Sequence, residues 1–192
     1  MSVLYHNLSD LNEEIWRFAA GFLLYNGRMT WWQAQNDTQI LTAAALIYDD
    51  TPERVKVFLV RRAANRQFLP GVPELPGGRI RFGERIETGL GRQIREKLHV
   101  EITLERPFFV FDYLNSDRRE HVAEIVYLAR LHAFKPQEIS LKKEKYAQSF
   151  WVGLDEVESL LGEMKLYSPQ EYDAVVQALV GLERQRQLRS ER

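Results

Sequence analysis

Cysteine is absent from the 192 residues. With it go disulfides, thiolate zinc sites, iron–sulfur clusters and cysteine nucleophiles. An excess of charge of one sign is missing too: 26 basic residues face 27 acidic ones, for a formal net charge of -1, so no global field draws the chain to nucleic acid. The arginines of the tail, Arg184, Arg186, Arg189 and Arg192, are interleaved with Glu183 and Glu191 and carry no aromatic on which a base could stack. Long apolar runs are lacking. The stretch Ile15–Tyr25 contains Arg17 and falls short of the roughly 20 apolar residues that span a bilayer. Glu13 and Glu14 precede it where a secretory signal would be basic. The expectation is a cytoplasmic protein with no membrane and no nucleic-acid partner. There is no P-loop and no G-x-S-x-G elbow. His6, His99, His121 and His132 show no metal-ligand spacing.

What is present suits a packed domain: 45% hydrophobic and 28% charged residues. The length fits one domain with a helix or two added. Residues 1–36 read as a helix and linker, and 37–192 as the domain with its C-terminal helices. In the first segment Leu11, Ile15, Phe18, Phe22 and Tyr25 fall on one helical face, with Asp10 and Glu13 as a capping box and Asn26-Gly27 as the stop. That face docks on its own domain or makes a homodimer. A linker with Trp31 and Trp32 follows.

The run Ile40–Ile47 predicts a buried strand, Asp49–Glu53 a turn, and Val55–Val60 a second strand paired to the first. Further strands are expected at 108–114, 121–132 and 150–152. Asp155 is expected to cap a helix towards Leu161. Ser168-Pro169-Gln170-Glu171 predicts another, with Ser168 and Glu171 as its capping box and a charged tail from Glu183 that frays.

The informative segment is Leu75-Pro76-Gly77-Gly78-Arg79-Ile80-Arg81-Phe82-Gly83-Glu84, followed by a helix to about Leu98. Paired glycines let a backbone turn tightly and present its carbonyls or amides to a ligand. In the helix Ile86, Leu90, Ile94 and Leu98 make the apolar side, and Gln93, Glu96 and Lys97 share another face.

Gly78, Glu84, Arg92, Ile94, Glu96 and Val100 fall on the spacing G-x5-E-x7-R-E-U-x-E-E-x-G-U, where U is a bulky aliphatic. In this the chain resembles the Nudix hydrolase superfamily, the MutT-like proteins. The lead-in Leu75–Gly78 and the downstream Phe150–Val157 resemble the family as well. The resemblance covers about 39–161 and implies an α/β/α sandwich around a mixed sheet. It also implies metal-assisted cleavage of a nucleoside diphosphate linked to another group, with box glutamates holding Mg²⁺ or Mn²⁺ against the diphosphate.

The box is degenerate. Gln93 and Lys97 stand where the pattern has glutamates, and His99 where it has glycine. The first change adds one positive unit and the second two, so the would-be metal face is three units more positive. An ammonium at about 4 Å repels a divalent cation by roughly a few kcal/mol at an effective dielectric of about 20. Three readings follow. A metal is held by Glu96, Glu84 and the Gly77 carbonyl, with a helper or base among Glu87, Glu120, Glu124 and Glu144. Alternatively, Lys97 grips phosphate as a point cation. In the third reading the fold binds a nucleotide or a partner without turnover, and no metal is needed.

On the hydrolase reading Glu96, Glu84, Arg92 and Glu124 are the catalytic candidates. Arg61, Arg62, Lys97, Gly77 and Gly78 are the substrate-binding ones, arginine suiting a diphosphate through its fork of donors. Arg66 belongs with the two arginines. Glu84 and Arg92 are expected to pair. Phe111 and Tyr113 either stack on a base or pack in the core. His99, at the helix end, costs on the order of 1 kcal/mol if it must take a positive φ.

Overall fold

The computed structural model describes residues 38–51, 53–132 and 139–191. The N-terminal helix expected from Leu11 to Tyr25, and the choice between its two docking partners, lie outside the described residues.

Strand β1 (Thr38–Asp50) carries the apolar run. Ala44, Leu46 and Tyr48 enter one hydrophobic core, and Ala43, Ala45 and Ile47 enter another on the opposite face. A sheet covered on both faces removes the polar alternation, which is why this stretch reads as continuously apolar. Strand β2 (Val55–Arg62) returns antiparallel, with Ile47 opposite Phe58 and Asp50 opposite Val55. Two short strands follow, β3 (Pro73–Glu74) on β2 and β4 (Gly77–Arg79) on β1. The long strands β5 (Ile102–Asn115) and β6 (Glu120–Leu131) form a hairpin, and β6 runs parallel to β1. Strand β7 (Tyr146–Val152) pairs with β2. The path is β3-β2-β1-β6-β5, a mixed sheet. The expected strand cores are all present; β5 starts six residues earlier than patterning placed it, because Arg106 and Pro107 sit at its register shifts.

Helix α1 (Ile86–Leu98) covers one face through Leu90, Ile94 and Leu98. The other face is covered by α2 (Val157–Leu160), α3 (Gly162–Tyr167) and α4 (Pro169–Ser190), the last through Ala174, Val175, Ala178, Leu179 and Leu182. This is the α/β/α sandwich. Burying each large aliphatic side chain stabilises it by roughly 1.5–3 kcal/mol.

Three helix-end expectations are corrected. Glu156, not Asp155, takes the Gly153 amide at the start of the 3₁₀ turn Leu154–Glu156 (3.0 Å). Glu171 does not box with Ser168 at the start of α4. It accepts the Leu75 amide (2.6 Å) and the Ser168 hydroxyl (3.1 Å), because a neighbouring loop offers it a buried donor. The tail does not fray at Glu183: that residue accepts the Val55 amide (3.0 Å), and Arg189 pairs with Asp50 (2.9 Å), so the helix continues to Ser190.

His99 does take the left-handed conformation, at φ 55°, where its amide reaches the Arg95 carbonyl and closes α1. Its side chain is exposed. His99→Gly is therefore expected to raise stability by about 1 kcal/mol, less the entropy a glycine adds to the unfolded chain. Thermal unfolding should show a rise of a few degrees.

Candidate active site

The loop entering α1 is built by close approach. Gly77 lies opposite Ala44 in the β4–β1 ladder, and its carbonyl accepts from the Lys97 ammonium. Arg79 is held by the amide of Gln93 on its carbonyl (2.9 Å), and the Arg92 guanidinium adds a 3.3 Å bond to the same oxygen. Both residues that replace the pattern's glutamates, Gln93 and Lys97, thus anchor the glycine loop.

Glu84 and Arg92 pair as expected, Nε to Oε1 and Nη2 to Oε2, each at 2.8 Å. That guanidinium, with the Arg81 amide, holds the Glu84 carboxyl down at about 2. Glu96 is half exposed and faces two arginines, Arg92 at 3.3 Å and Arg81 at 4.0 Å.

Behind the loop lies a cavity of about 940 Å³, at the upper end of small-molecule sites. It brings together Gly77, Gly78, Arg62, Glu96, Lys97 and Glu124 of the predicted residues. Arg61 is not among its lining residues: its guanidinium donates to the Gly71 carbonyl (2.7 Å) and pairs with Glu163. Glu84 and Arg92 also stand outside the lining, as a brace for the loop. Of the other helper glutamates, Glu87 accepts from the Tyr127 hydroxyl (3.3 Å) and Glu120 pairs with Arg79 (2.6 Å), while Glu144 is an exposed lining residue.

Sequence reasoning missed Glu74, Glu171, Tyr146, Lys142 and Lys145, all in the lining. Glu171 was hidden by the capping pattern it happens to match. The lysines were legible only as a charge run, and Tyr146 had no signal. Phe111 is core, 8% exposed, whereas Tyr113 stacks on Phe68 (5.8 Å, 11° between rings) in the cavity wall.

The electrostatics divide the lining. Lys145 is held below the ordinary lysine value by burial and by Arg66, Lys142 and Arg62, with Glu144 acting against them. Burial brings Lys97 down to about 8, with Glu74 opposing. Glu124 accepts from the Thr42 hydroxyl (3.0 Å), yet burial lifts its carboxyl to about 7, helped by Glu74 and opposed by Thr42, Lys97 and Arg62. Glu171 is lifted by burial, Glu124 and Glu74.

A carboxyl whose folded value is raised contributes full stability below its ordinary value of about 4.5 and loses it as pH rises through about 7. The protein is expected to melt at a lower temperature at about pH 8 than at about pH 5. Glu124→Gln should remove part of that difference, and adding Glu171→Gln should remove more.

A divalent cation does not fit this arrangement. Both oxygens of Glu84 are taken by Arg92, the Gly77 carbonyl is taken by Lys97, and Glu96 lies between two guanidinium groups. Among the described residues no three Asp, Glu or His side chains converge as a metal would require. What the cavity offers is a set of lining cations together with an aromatic pair and buried carboxyls.

A mixed sheet between helices, with a glycine loop and its Glu–Arg brace feeding a cavity, is the arrangement that the motif resemblance implies. A family model for the NUDIX domain matches residues 38–174, and the chain belongs to that family. The family binds nucleoside diphosphate substrates and generally uses divalent metals. Among solved structures, the fold is similar to a MutT protein from Methanosarcina mazei, with 19% identity and a TM-score of 0.60 over 78% of this chain and 96% of that one. It is similar also to a NUDIX hydrolase from Nitrosomonas europaea (16% identity, TM-score 0.59, 75% and 90% covered). An Ap4A hydrolase from C. elegans gives 16% identity and a TM-score of 0.56, with 74% and 98% covered. No curated protein matches. Among the described residues no helix is long and apolar enough to cross a membrane.

Proposed function

We propose that this domain binds a nucleoside diphosphate derivative in the cavity through a built-in cation, Lys97, and does not carry out the metal-assisted cleavage that the family's box supports. One observation carries the reading: the Lys97 ammonium lies on the Gly77 carbonyl, the oxygen that the motif resemblance makes a metal ligand. A lysine there supplies positive charge for a phosphate oxygen as a point cation. It brings no open coordination position to activate water. Arg66, Lys142 and Lys145 crowd one another in the same lining, and a phosphate relieves their repulsion. The Phe68–Tyr113 stack presents an aromatic surface for a base.

The test is calorimetric titration of ADP, GDP, CDP and UDP and their sugar conjugates, with EDTA and again with Mg²⁺, alongside phosphate release from the same samples. Binding that survives EDTA, with no release in either series, is the expected result. Turnover that appears only with Mg²⁺ overturns the reading in favour of the metal-dependent hydrolase.

A further inference from the structure

Asn115 ends β5 with its side chain unused. It is 8% exposed and lines the cavity. An asparagine in this place ordinarily caps the turn that follows it. Here that turn is the 3₁₀ segment Ser116–Arg118, and the Asn115 side chain makes no capping bond to it. The polar groups around it are engaged elsewhere. Glu120, its partner in the β5–β6 ladder, accepts from Arg79 (2.6 Å), and Arg118 donates to Gln67 Oε1 (2.9 Å). Among the described residues the Asn115 carboxamide has no hydrogen-bond partner. The large majority of buried side-chain polar groups are bonded, so an unused amide on a cavity wall points to a group the ligand brings.

A second, independent feature adjoins it. Phe111, Tyr113 and Asn115 alternate onto one face of β5. The Phe111 and Tyr113 rings lie 6.3 Å apart at 29°, and Phe68 stacks on Tyr113 from the loop opposite (5.8 Å, 11°). All four residues line the cavity. The Arg118–Gln67 bond ties the loop that carries Phe68 to the turn after Asn115, so the rings and the amide hold one arrangement. Along the sheet this end is set apart from Lys97. Tyr113 is level with Ile40 through Val122, whereas Gly77, which Lys97 holds, is level with Ala44. The four-residue offset on β1 corresponds to roughly 13 Å. Asn115 lies one step further out, level with Thr38 through Glu120.

From these features we infer that Asn115 reads the edge of a nucleobase lying along Phe68 and Tyr113, and that the base is adenine. The inference rests on the nucleoside diphosphate reading above. A phosphate on Lys97 and a ring beside Tyr113 leave the ring's outer edge facing Asn115. A carboxamide sets an acceptor beside a pair of donors and makes two bonds to adenine N6 and N7. The same edge of guanine carries two acceptors, O6 and N7, one of which would face the carboxamide oxygen. A neutral amide suits a base rather than a phosphate, and the cations Lys145, Arg62 and Arg66 gather about Lys97 at the other end.

The probes are ADP and GDP, with inorganic pyrophosphate as the base-free control, titrated with EDTA into the full chain by calorimetry and followed by ¹⁵N NMR. ADP is expected to bind about tenfold more tightly than GDP, within the range of one well-made two-bond base contact. Asn115→Leu keeps the bulk and removes an amide that is unbonded in the free protein. Its Tm should hold, ADP and GDP should bind alike, and pyrophosphate affinity should be unchanged. Asn115→Asp offers acceptors alone and should favour GDP, whose base presents N1–H and N2–H₂ donors. In the unaltered protein the side-chain amide signal of Asn115, identified by its loss in Asn115→Leu, should shift with ADP and stay in place with pyrophosphate. GDP binding as tightly as ADP overturns the adenine subsite and leaves the nucleoside diphosphate reading standing. So does an ADP preference that persists in Asn115→Leu, or in Asn115→Asp should the first variant fail to fold. If neither nucleotide binds, both proposals fall.

Discussion

Gly77→Ala is expected to destabilise the domain by roughly 3 kcal/mol or more, a large share of a typical stability, while Gly78→Ala one residue on leaves the fold nearly intact. A Cβ on Gly77 would run into the Ala43 carbonyl and come within 2.6 Å of the Ala44 Cα, both backbone atoms in the buried middle of β1. Neither can move without dragging the β1–β6 ladder with it. A Cβ on Gly78 meets instead the ends of flexible side chains, Gln93 Oε1 at 2.6 Å and Lys97 Nζ at 2.8 Å. Those can swing away, so the second change should displace the site's cation and weaken ligand binding at little cost in stability. Urea unfolding beside nucleotide titration separates the two. Equal loss of stability in both variants would show that the loop is not held as described.

The second large effect belongs to Lys97. Lys97→Met should lower nucleoside diphosphate affinity by about tenfold to a hundredfold, the range for losing a charge-assisted contact in a partly buried site. Stability should hardly change. Burial already weakens the charged form of Lys97, bringing it down to about 8, so removing the ammonium relieves a desolvation cost that offsets the lost bond to Gly77. The converse change makes the metal argument reversible. Gln93→Glu with Lys97→Glu takes three positive units out of the same helix face, and Mg²⁺ affinity should rise at least tenfold over the unaltered protein, since the repulsion removed amounts to roughly a few kcal/mol. Equilibrium dialysis against Mg²⁺ measures it. No gain would mean that Glu96, held between Arg92 and Arg81, cannot turn to a metal even when the lysine is gone.

Local pattern revealed the sheet and the box because both are local. The apolar run of β1 and the periodicity of α1 sit in contiguous sequence, and the spacing from Gly78 to Val100 by itself carries the resemblance to the family. Even the positive φ of His99 followed from its place in the motif. The cavity's far wall was not legible in this way. Glu171 reaches Leu75 across 96 residues of chain, and a capping pattern explained it adequately from sequence alone. Arg61 and Arg62 are neighbours, yet strand alternation sends one to Glu163 and the other to Glu74. Lys97 illustrates the limit most clearly. Its spacing placed it on the box face, but only the approach of Gly77 shows which oxygen it meets.

The parallel pairing of β1 with β6 sets the order in which the chain can fold. Thr42 and Glu124 are bonded partners separated by 82 residues, and ten successive residue pairs share that long separation. On a ribosome, β1 emerges with its apolar run complete while the strand that must cover one edge has yet to be made. Loop closure over such a distance is slow, and an unpaired apolar edge is open to other chains in the meantime. Strand β2 and the Gly77–Arg79 segment, which pair with the opposite edge of β1, are the first shelter available to it. A chain truncated before β6 therefore keeps a sticky half-sheet rather than a smaller version of the domain, and aggregation is its natural fate.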